Sequence, residues 1–168
     1  MGLSKKNMEF LVSVLIILLT VFLMIAYYNR WFSFAERVGP FRIIHYVAWA
    51  GTIYIAITVI LFSFYKRRSP QKTNNLARIH MFGNLISFLL VSLHFAGQVG
   101  RPADFYPDFG TGLALYVGFV VLTITGFVLK YASSMKFRPM TNRTIHVSMA
   151  LAFYLIIIFH ILHGLELI

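Results

Sequence analysis

The chain has 168 residues, of which 59% are hydrophobic, 17% aromatic and 12% charged, with a formal net charge of +10 and no cysteine. Soluble domains are about 45–50% apolar and about 25% charged, and a chain this short cannot bury the apolar excess in one core. A soluble globular protein is therefore excluded. So are disulfides, thiolate metal sites, iron–sulfur clusters and haem attached through a Cys-x-x-Cys-His motif.

Five apolar runs predict an all-α, polytopic membrane bundle with five transmembrane helices, forming a single domain over residues 1–168. Each run is close to the roughly 20 residues that cross a bilayer. In chain order the predicted spans are residues 10–28, 43–65, 79–97, 111–129 and 145–165. The connections are short and polar, and they contain the helix breakers Gly39-Pro40, Ser69-Pro70, Arg101-Pro102, Pro107 and Pro139.

The basic residues are distributed unevenly between the two sides of such a bundle. Eleven of the 15 lysines and arginines belong to the N-terminus and the loops after the second and fourth spans, and four belong to the opposite side. By the positive-inside rule the N-terminus is cytoplasmic and the C-terminus lies outside, in a multi-pass protein of the cell membrane. The net charge thus reflects topology, and no nucleic-acid partner is expected. The inner set is Lys5, Lys6, Lys66, Arg67, Arg68, Lys72, Arg78, Lys130, Lys136, Arg138 and Arg143; the outer set is Arg30, Arg37, Arg42 and Arg101.

Histidines within the apolar runs are the main functional signal, because ionisable residues inside a membrane are costly and usually functional. The third span carries His80 and His94, and the fifth carries His146 and His160, each pair separated by 14 residues. Fourteen residues return a helix to within roughly 40° of its starting direction and rise about 21 Å. Because both spans cross in the same direction, His80 and His146 share the cytoplasmic depth, while His94 and His160 share the outer depth.

Two stacked pairs of imidazoles match the axial ligands of two non-covalent haem b groups. We therefore predict that His80 and His146 ligate a cytoplasmic-side haem, and that His94 and His160 ligate an outer haem. Small residues would let the flat macrocycle approach a helix, and Gly83 and Gly97 each follow a histidine of the third span by three positions. Arg78 and Arg143 would either pair with haem propionates at the cytoplasmic side or anchor the helices at the interface.

Other interpretations of these histidines remain open. A transmembrane histidine also serves as a hydrogen-bonded structural group or as a member of a proton relay. One zinc or copper ion cannot use ligands at opposite membrane depths, and a proton channel is disfavoured because the apolar runs contain no Asp or Glu away from their ends. His45 and His163 lie at the outer ends of their spans, as interfacial residues or as the lining of an electron-exit or quinone site.

The third to fifth spans resemble the ferric reductase-like transmembrane domain of ferric reductases and NADPH oxidases. The resemblance lies in "RIHMFGNLISFLLVSLHF" (78–95), "GLALYVGFVVLTITGFVLKY" (112–131) and "RTIHVSMALAFYLIIIFHILHG" (143–164). It implies paired haem ligands on the third and fifth helices. The respiratory cytochrome b family is similar at Arg78, His80, Gly83 and Ser87, but the sequence has no Pro-Glu-Trp motif of its quinol site.

The ferric reductase-like family commonly has a sixth helix and often a C-terminal flavin and nicotinamide domain, neither of which is present in this sequence. The resemblance therefore implies an oxidoreductase component that needs a partner. A cytoplasmic flavoprotein or a membrane quinol would donate electrons, and an outer metal ion, oxygen, quinone or redox protein would accept them. Two alternatives stay open: a haem-bearing membrane anchor of a respiratory dehydrogenase or hydrogenase that exchanges electrons with quinone, and a haem-free transporter or structural protein.

Overall fold

Long helices account for almost all of the described structure, a computed structural model that covers residues 4–102, 110–132 and 139–165. The helices are α1 (Lys5–Tyr28), α2 (Ile43–Arg68), α3 (Thr73–Val99), α4 (Gly110–Tyr131) and α5 (Pro139–Gly164). All five are long and apolar enough to cross a membrane. The prediction of an all-α, multi-pass membrane fold with five spans is confirmed. Pro107, which was predicted to lie in a loop, and Lys136 and Arg138, which were predicted to lie on the cytoplasmic side, are outside the described residues.

Three helices begin well before the predicted spans, and α1 starts five residues early, at Lys5. Both α3 and α5 start six residues earlier than the apolar runs that predicted them, at Thr73 and Pro139. The predicted limits followed hydrophobicity, whereas a helix satisfies its own backbone hydrogen bonds and can continue through polar sequence. Pro139 was expected to mark a loop, but a proline is well accommodated at the first position of a helix, where its missing N–H costs nothing.

The chain divides into two compact units, Met1–Pro107 and Asp108–Ile168. In the first unit, α1 and α2 both pack against α3. The buried positions at these contacts include small and hydroxyl-bearing residues, among them Ser13, Thr20, Gly51, Ser87 and Ser92. Small residues let apolar helices approach closely in a membrane. The hydroxyls of Ser13 and Thr20 donate to the carbonyl four residues earlier, at 2.9 and 2.8 Å, so neither is buried without a partner.

A short hairpin joins α1 to α2 within the first unit. Strands β1 (Arg37–Val38) and β2 (Phe41–Arg42) pair in antiparallel register. Gly39, where the sequence predicts a turn, has a φ of +64°, a conformation that favours glycine. The hydroxyl of Tyr46 donates to the Val38 carbonyl at 2.7 Å and so ties the hairpin to the first turn of α2.

The second unit consists of α4 and α5 packed in antiparallel directions. At the middle of this contact the rings of Phe119 and Phe153 lie 5.3 Å apart between centroids, and both side chains are buried. Gly118 is buried beside them, and a Cβ there would lie 3.7 Å from the Phe153 ring. The helices are therefore close enough for side chains at both ends of α4 to contact α5.

Replacing Gly51 with valine is expected to lower the stability of the first unit. A Cβ at this position would lie 3.2 Å from the backbone oxygen of Ser87 and 3.3 Å from the Cβ of Leu90, so α2 would have to move away from α3. Overpacking of this kind costs about 1–3 kcal/mol. Thermal unfolding in detergent measures the loss, with Ala50→Val, at an exposed position of the same helix, as the control. Equal destabilisation by the two variants would contradict the close approach of α2 and α3.

Candidate functional site

Both predicted ligands on α5 contact a threonine of α4. Nδ1 of His146 lies 2.8 Å from Oγ1 of Thr125, and Nδ1 of His160 lies 3.0 Å from Oγ1 of Thr111. The two threonines are 14 residues apart, as are the two histidines. Since the helices are antiparallel, equal intervals bring a threonine to each histidine. The second unit therefore holds two copies of one local arrangement at opposite ends of the helix pair.

A glycine follows each of these threonines and makes room for the imidazole. A Cβ on Gly112 would lie 3.3 Å from Cε1 of His160, and a Cβ on Gly126 would lie 3.3 Å from Cε1 of His146. That distance is tighter than ordinary side-chain contact, so a larger residue would push the ring away from α4. The Thr-Gly dipeptides were missed in the interpretation of the sequence. The dipeptide occurs twice, 14 residues apart, which is also the interval between the two histidines of α5. This matching interval is the sequence signal that could have identified them.

The hydrogen bonds of Thr125 assign the proton on His146. The hydroxyl of Thr125 donates to the carbonyl of Val121 at 2.8 Å, with the carbonyl of Leu122 at 3.2 Å. Because a hydroxyl has one proton, Thr125 accepts from the imidazole, and the Nδ1–H of His146 is the donor. A neutral histidine then has its lone pair on Nε2. The backbone of Leu122 also forms a hydrogen bond with His146.

His80, on α3, has different surroundings within the first unit. Its ring stacks on Phe62 of α2, with centroids 4.8 Å apart and an interplanar angle of 13°. Nδ2 of Asn84 lies 3.2 Å from Nδ1 and 3.4 Å from Nε2 of this histidine. The amide of Asn84 also contacts the hydroxyl of Thr58. His80 is thus placed by an aromatic ring and an amide, and both of its ring nitrogens face the amide.

His94 lies beside a second histidine, His45 of α2. The two rings meet edge to face, with centroids 5.3 Å apart, and Nδ1 of each is buried. This neighbour was not expected from the sequence, which indicated only that His45 sits at the outer end of its span. Burial and the nearby charge of Arg42 lower the pKa of Arg101, so this end of the first unit is rich in positive charge. No group of three or more His, Asp or Glu residues that could hold a metal ion occurs in the described part of the chain.

The glycines of α3 admit tyrosine rings from neighbouring helices. A Cβ on Gly83 would overlap the phenol of Tyr54, and a Cβ on Gly97 would lie 2.6 Å from Cε1 of Tyr27. The hydroxyl of Tyr54 donates to the carbonyl of Ile79 at 3.2 Å. Packing within the first unit thus accounts for both glycines, and their contact with a haem macrocycle stays a prediction.

The two predicted propionate partners differ in their surroundings. Nε of Arg78 lies 2.6 Å from Oε1 of Glu9, an ion pair that joins α3 to α1, and the Glu9 side chain is only 12% exposed. Arg78 also donates to Oδ1 of Asn75 at 3.3 Å. Arg143, near the start of α5, is exposed. The charge of Arg78 is therefore balanced within its own unit, whereas Arg143 has no counter-charge among the residues that the structure describes.

The first unit contains His80 and His94 and the second contains His146 and His160, so each predicted pair of haem ligands takes one histidine from each unit. No protein-family model matches the sequence, and no curated protein or solved structure shows significant similarity to it. Function therefore has to be inferred from the chemistry of the side chains.

Replacing Arg78 with methionine is expected to destabilise the protein chiefly by leaving Glu9 without its cation in a poorly hydrated position. Removing one partner of a buried ion pair costs about 3–5 kcal/mol, and the partial exposure of Arg78 puts the expected loss below that range. In a Glu9→Gln background the same change should cost much less. Unfolding of the two single variants and the double variant measures the coupling. Arg143→Met, at an exposed site, is the control, and additive losses would contradict a stabilising ion pair.

Proposed function

We propose that this protein is a dihaem b-type membrane cytochrome that carries electrons across the bilayer. His80 and His146 would ligate one haem b, and His94 and His160 would ligate the other, both without covalent attachment. The observation that carries the proposal is the repeated arrangement on α4 and α5, in which a threonine engages Nδ1 of a histidine twice at one interval. When bound, haem b supplies reversible one-electron chemistry at its iron.

The α5 histidines have the properties of metal ligands. A ligating histidine almost always donates its second ring N–H to a nearby acceptor, which fixes the tautomer and orients the ring. Thr125 is such an acceptor for His146, and Thr111 lies in the matching position beside His160. In both contacts Nδ1 is the ring nitrogen that meets the threonine, and ligation of iron would use Nε2.

The α3 histidines support the proposal through their spacing and chemistry. Their interval equals that of the α5 pair, and it corresponds to a rise of about 21 Å along a helix. Because Nδ2 of Asn84 lies within 3.4 Å of both ring nitrogens of His80, metal binding through one of them would require the ring or the amide to turn. The charges of Arg42 and Arg101 act on His45, the ring neighbour of His94, and would suit the carboxylates of a haem. At the opposite end, Arg143 is a better candidate than Arg78 for a propionate, because Arg78 already pairs with Glu9.

The reaction partners follow from the same proposal. Two haems spaced along the helices would form a path for electrons, and the chemistry would take place where the path ends. A cytoplasmic flavoprotein or a membrane quinol is the proposed donor, and a metal ion, oxygen, quinone or redox protein on the outer side is the proposed acceptor. The resemblance to the ferric reductase-like domain favours this arrangement over a self-contained enzyme.

Absorption spectra of detergent-purified protein, oxidised and dithionite-reduced, together with a pyridine haemochrome assay, test the proposal. We expect two b haems per chain with low-spin bis-imidazole bands. Protein made with an ample haem supply that contains no haem would overturn the proposed function.

Ligand variants test which histidines share a haem. His160→Ala and His94→Ala should each remove one haem, and the double variant should lose no more than either single change. Combining His94→Ala with His146→Ala should remove both haems. His163→Ala, at an exposed position three residues after His160, is the matched control and should retain two. Loss of both haems from the His94→Ala, His160→Ala variant would contradict the proposed sharing.

A further inference from the structure

We propose that Thr125 and Thr111 are positioning residues for the haem ligands. Each would hold Nδ1 of its histidine against α4 and turn Nε2 toward the iron. This inference rests on the proposed dihaem function. It gives two residues of α4 the role of orienting the haem ligands. It also explains why α4, which carries no histidine, has polar side chains at the depths of His146 and His160.

The hydrogen bonds of Thr125 indicate that it accepts the hydrogen bond from His146. The hydroxyl proton is directed to a backbone carbonyl of the same helix, so the oxygen faces His146 as an acceptor. A threonine bonded in this way is rigid, because its β-branched side chain has few χ1 conformations and its hydroxyl is engaged. Thr125 is also buried, with 8% of its surface exposed, and little water competes for the bond. The imidazole is thus held in one tautomer and one orientation before any metal binds.

The adjacent glycine completes the arrangement. Because a Cβ on Gly126 would lie 3.3 Å from Cε1 of His146, only glycine lets the ring lie against the α4 backbone at its present distance. Gly112 has the same relation to His160 at the same distance. The threonine therefore sets which ring nitrogen is engaged, and the glycine sets how close the ring comes to the helix.

Removing the hydroxyl has a defined chemical consequence. A hydrogen bond from Nδ1–H raises the basicity of the ligand, and loss of such outer contacts typically weakens metal binding by about 10–100-fold. Thr125→Val keeps the shape of the side chain but offers no acceptor. We expect the haem ligated by His146 to bind more weakly by a factor in that range. Its reduction potential should rise, because a less basic imidazole stabilises the ferric state less.

The chain offers matched controls for this test. Thr125→Ser retains an acceptor and should retain the wild-type haem affinity and potential. Thr123→Val removes a neighbouring hydroxyl that donates to the carbonyl of Phe119 at 2.9 Å and has no hydrogen bond with a histidine among the residues that the structure describes. Haem titration, a redox titration followed by absorption, and the low-spin EPR signals are the readouts. Comparison with His146→Ala identifies which signal belongs to this haem, and Thr111→Val should change the other one.

The possible outcomes separate this inference from the proposed function. If the wild type binds two haems and Thr125→Val behaves like Thr123→Val in affinity, potential and EPR signal, Thr125 is not a positioning residue. If Thr125→Val and Thr125→Ser are equally impaired, the effect is one of packing and the inference is also overturned. A wild type that binds no haem would overturn the proposed function and the ligand role with it.

A measurement on haem-free protein tests the tautomer independently. The ¹⁵N shifts of His146 in histidine-labelled protein distinguish Nδ1–H from Nε2–H. We expect the Nδ1–H form in the wild type and in Thr125→Ser, and a mixture of tautomers in Thr125→Val. A predominant Nε2–H form in the wild type would overturn the inference whatever the haem content.

Discussion

Every polar group within the apolar helices needs a partner, because lipid offers none. Buried hydroxyls of α1 meet this need through carbonyls of their own helix, as at Ser13 and Thr20. Thr125 meets it in the same way and has an acceptor site left over, which His146 occupies. The intrahelical bond that makes a threonine tolerable in an apolar helix thus also makes it a directed acceptor for a neighbouring helix.

The histidines of the two units meet this need for a partner in different ways. In the second unit each histidine meets one hydroxyl oxygen through Nδ1. In the first unit His80 lies between an aromatic ring and an amide, and His94 lies beside another histidine. An amide or a second imidazole can both donate and accept, whereas a hydroxyl whose proton is engaged, such as that of Thr125, can only accept. The direction of the hydrogen bond is therefore defined at His146.

The number and type of the helices were predictable from the sequence, because hydrophobic length is a property of each segment alone. The polar starts of α3 and α5 were not, since hydrophobicity does not register a helix that continues past the apolar run. The partners of Thr111 and Thr125 were predictable in principle from two equal intervals on adjacent antiparallel spans. The tyrosines that cover Gly83 and Gly97 were not, because packing between helices selects them and no local pattern marks them.

Because the intervals on α4 and α5 are equal, the two threonine–histidine contacts depend on the lengths of both helices. One residue inserted between Thr111 and Thr125 would shift the later part of α4 by about 1.5 Å and turn it by about 100°. One threonine would then face away from its histidine while the other stayed in place. Only a compensating insertion in α5, between His146 and His160, would restore both contacts. This segment can therefore change its length only when both helices change together, and the separation between the two sites is set by backbone geometry.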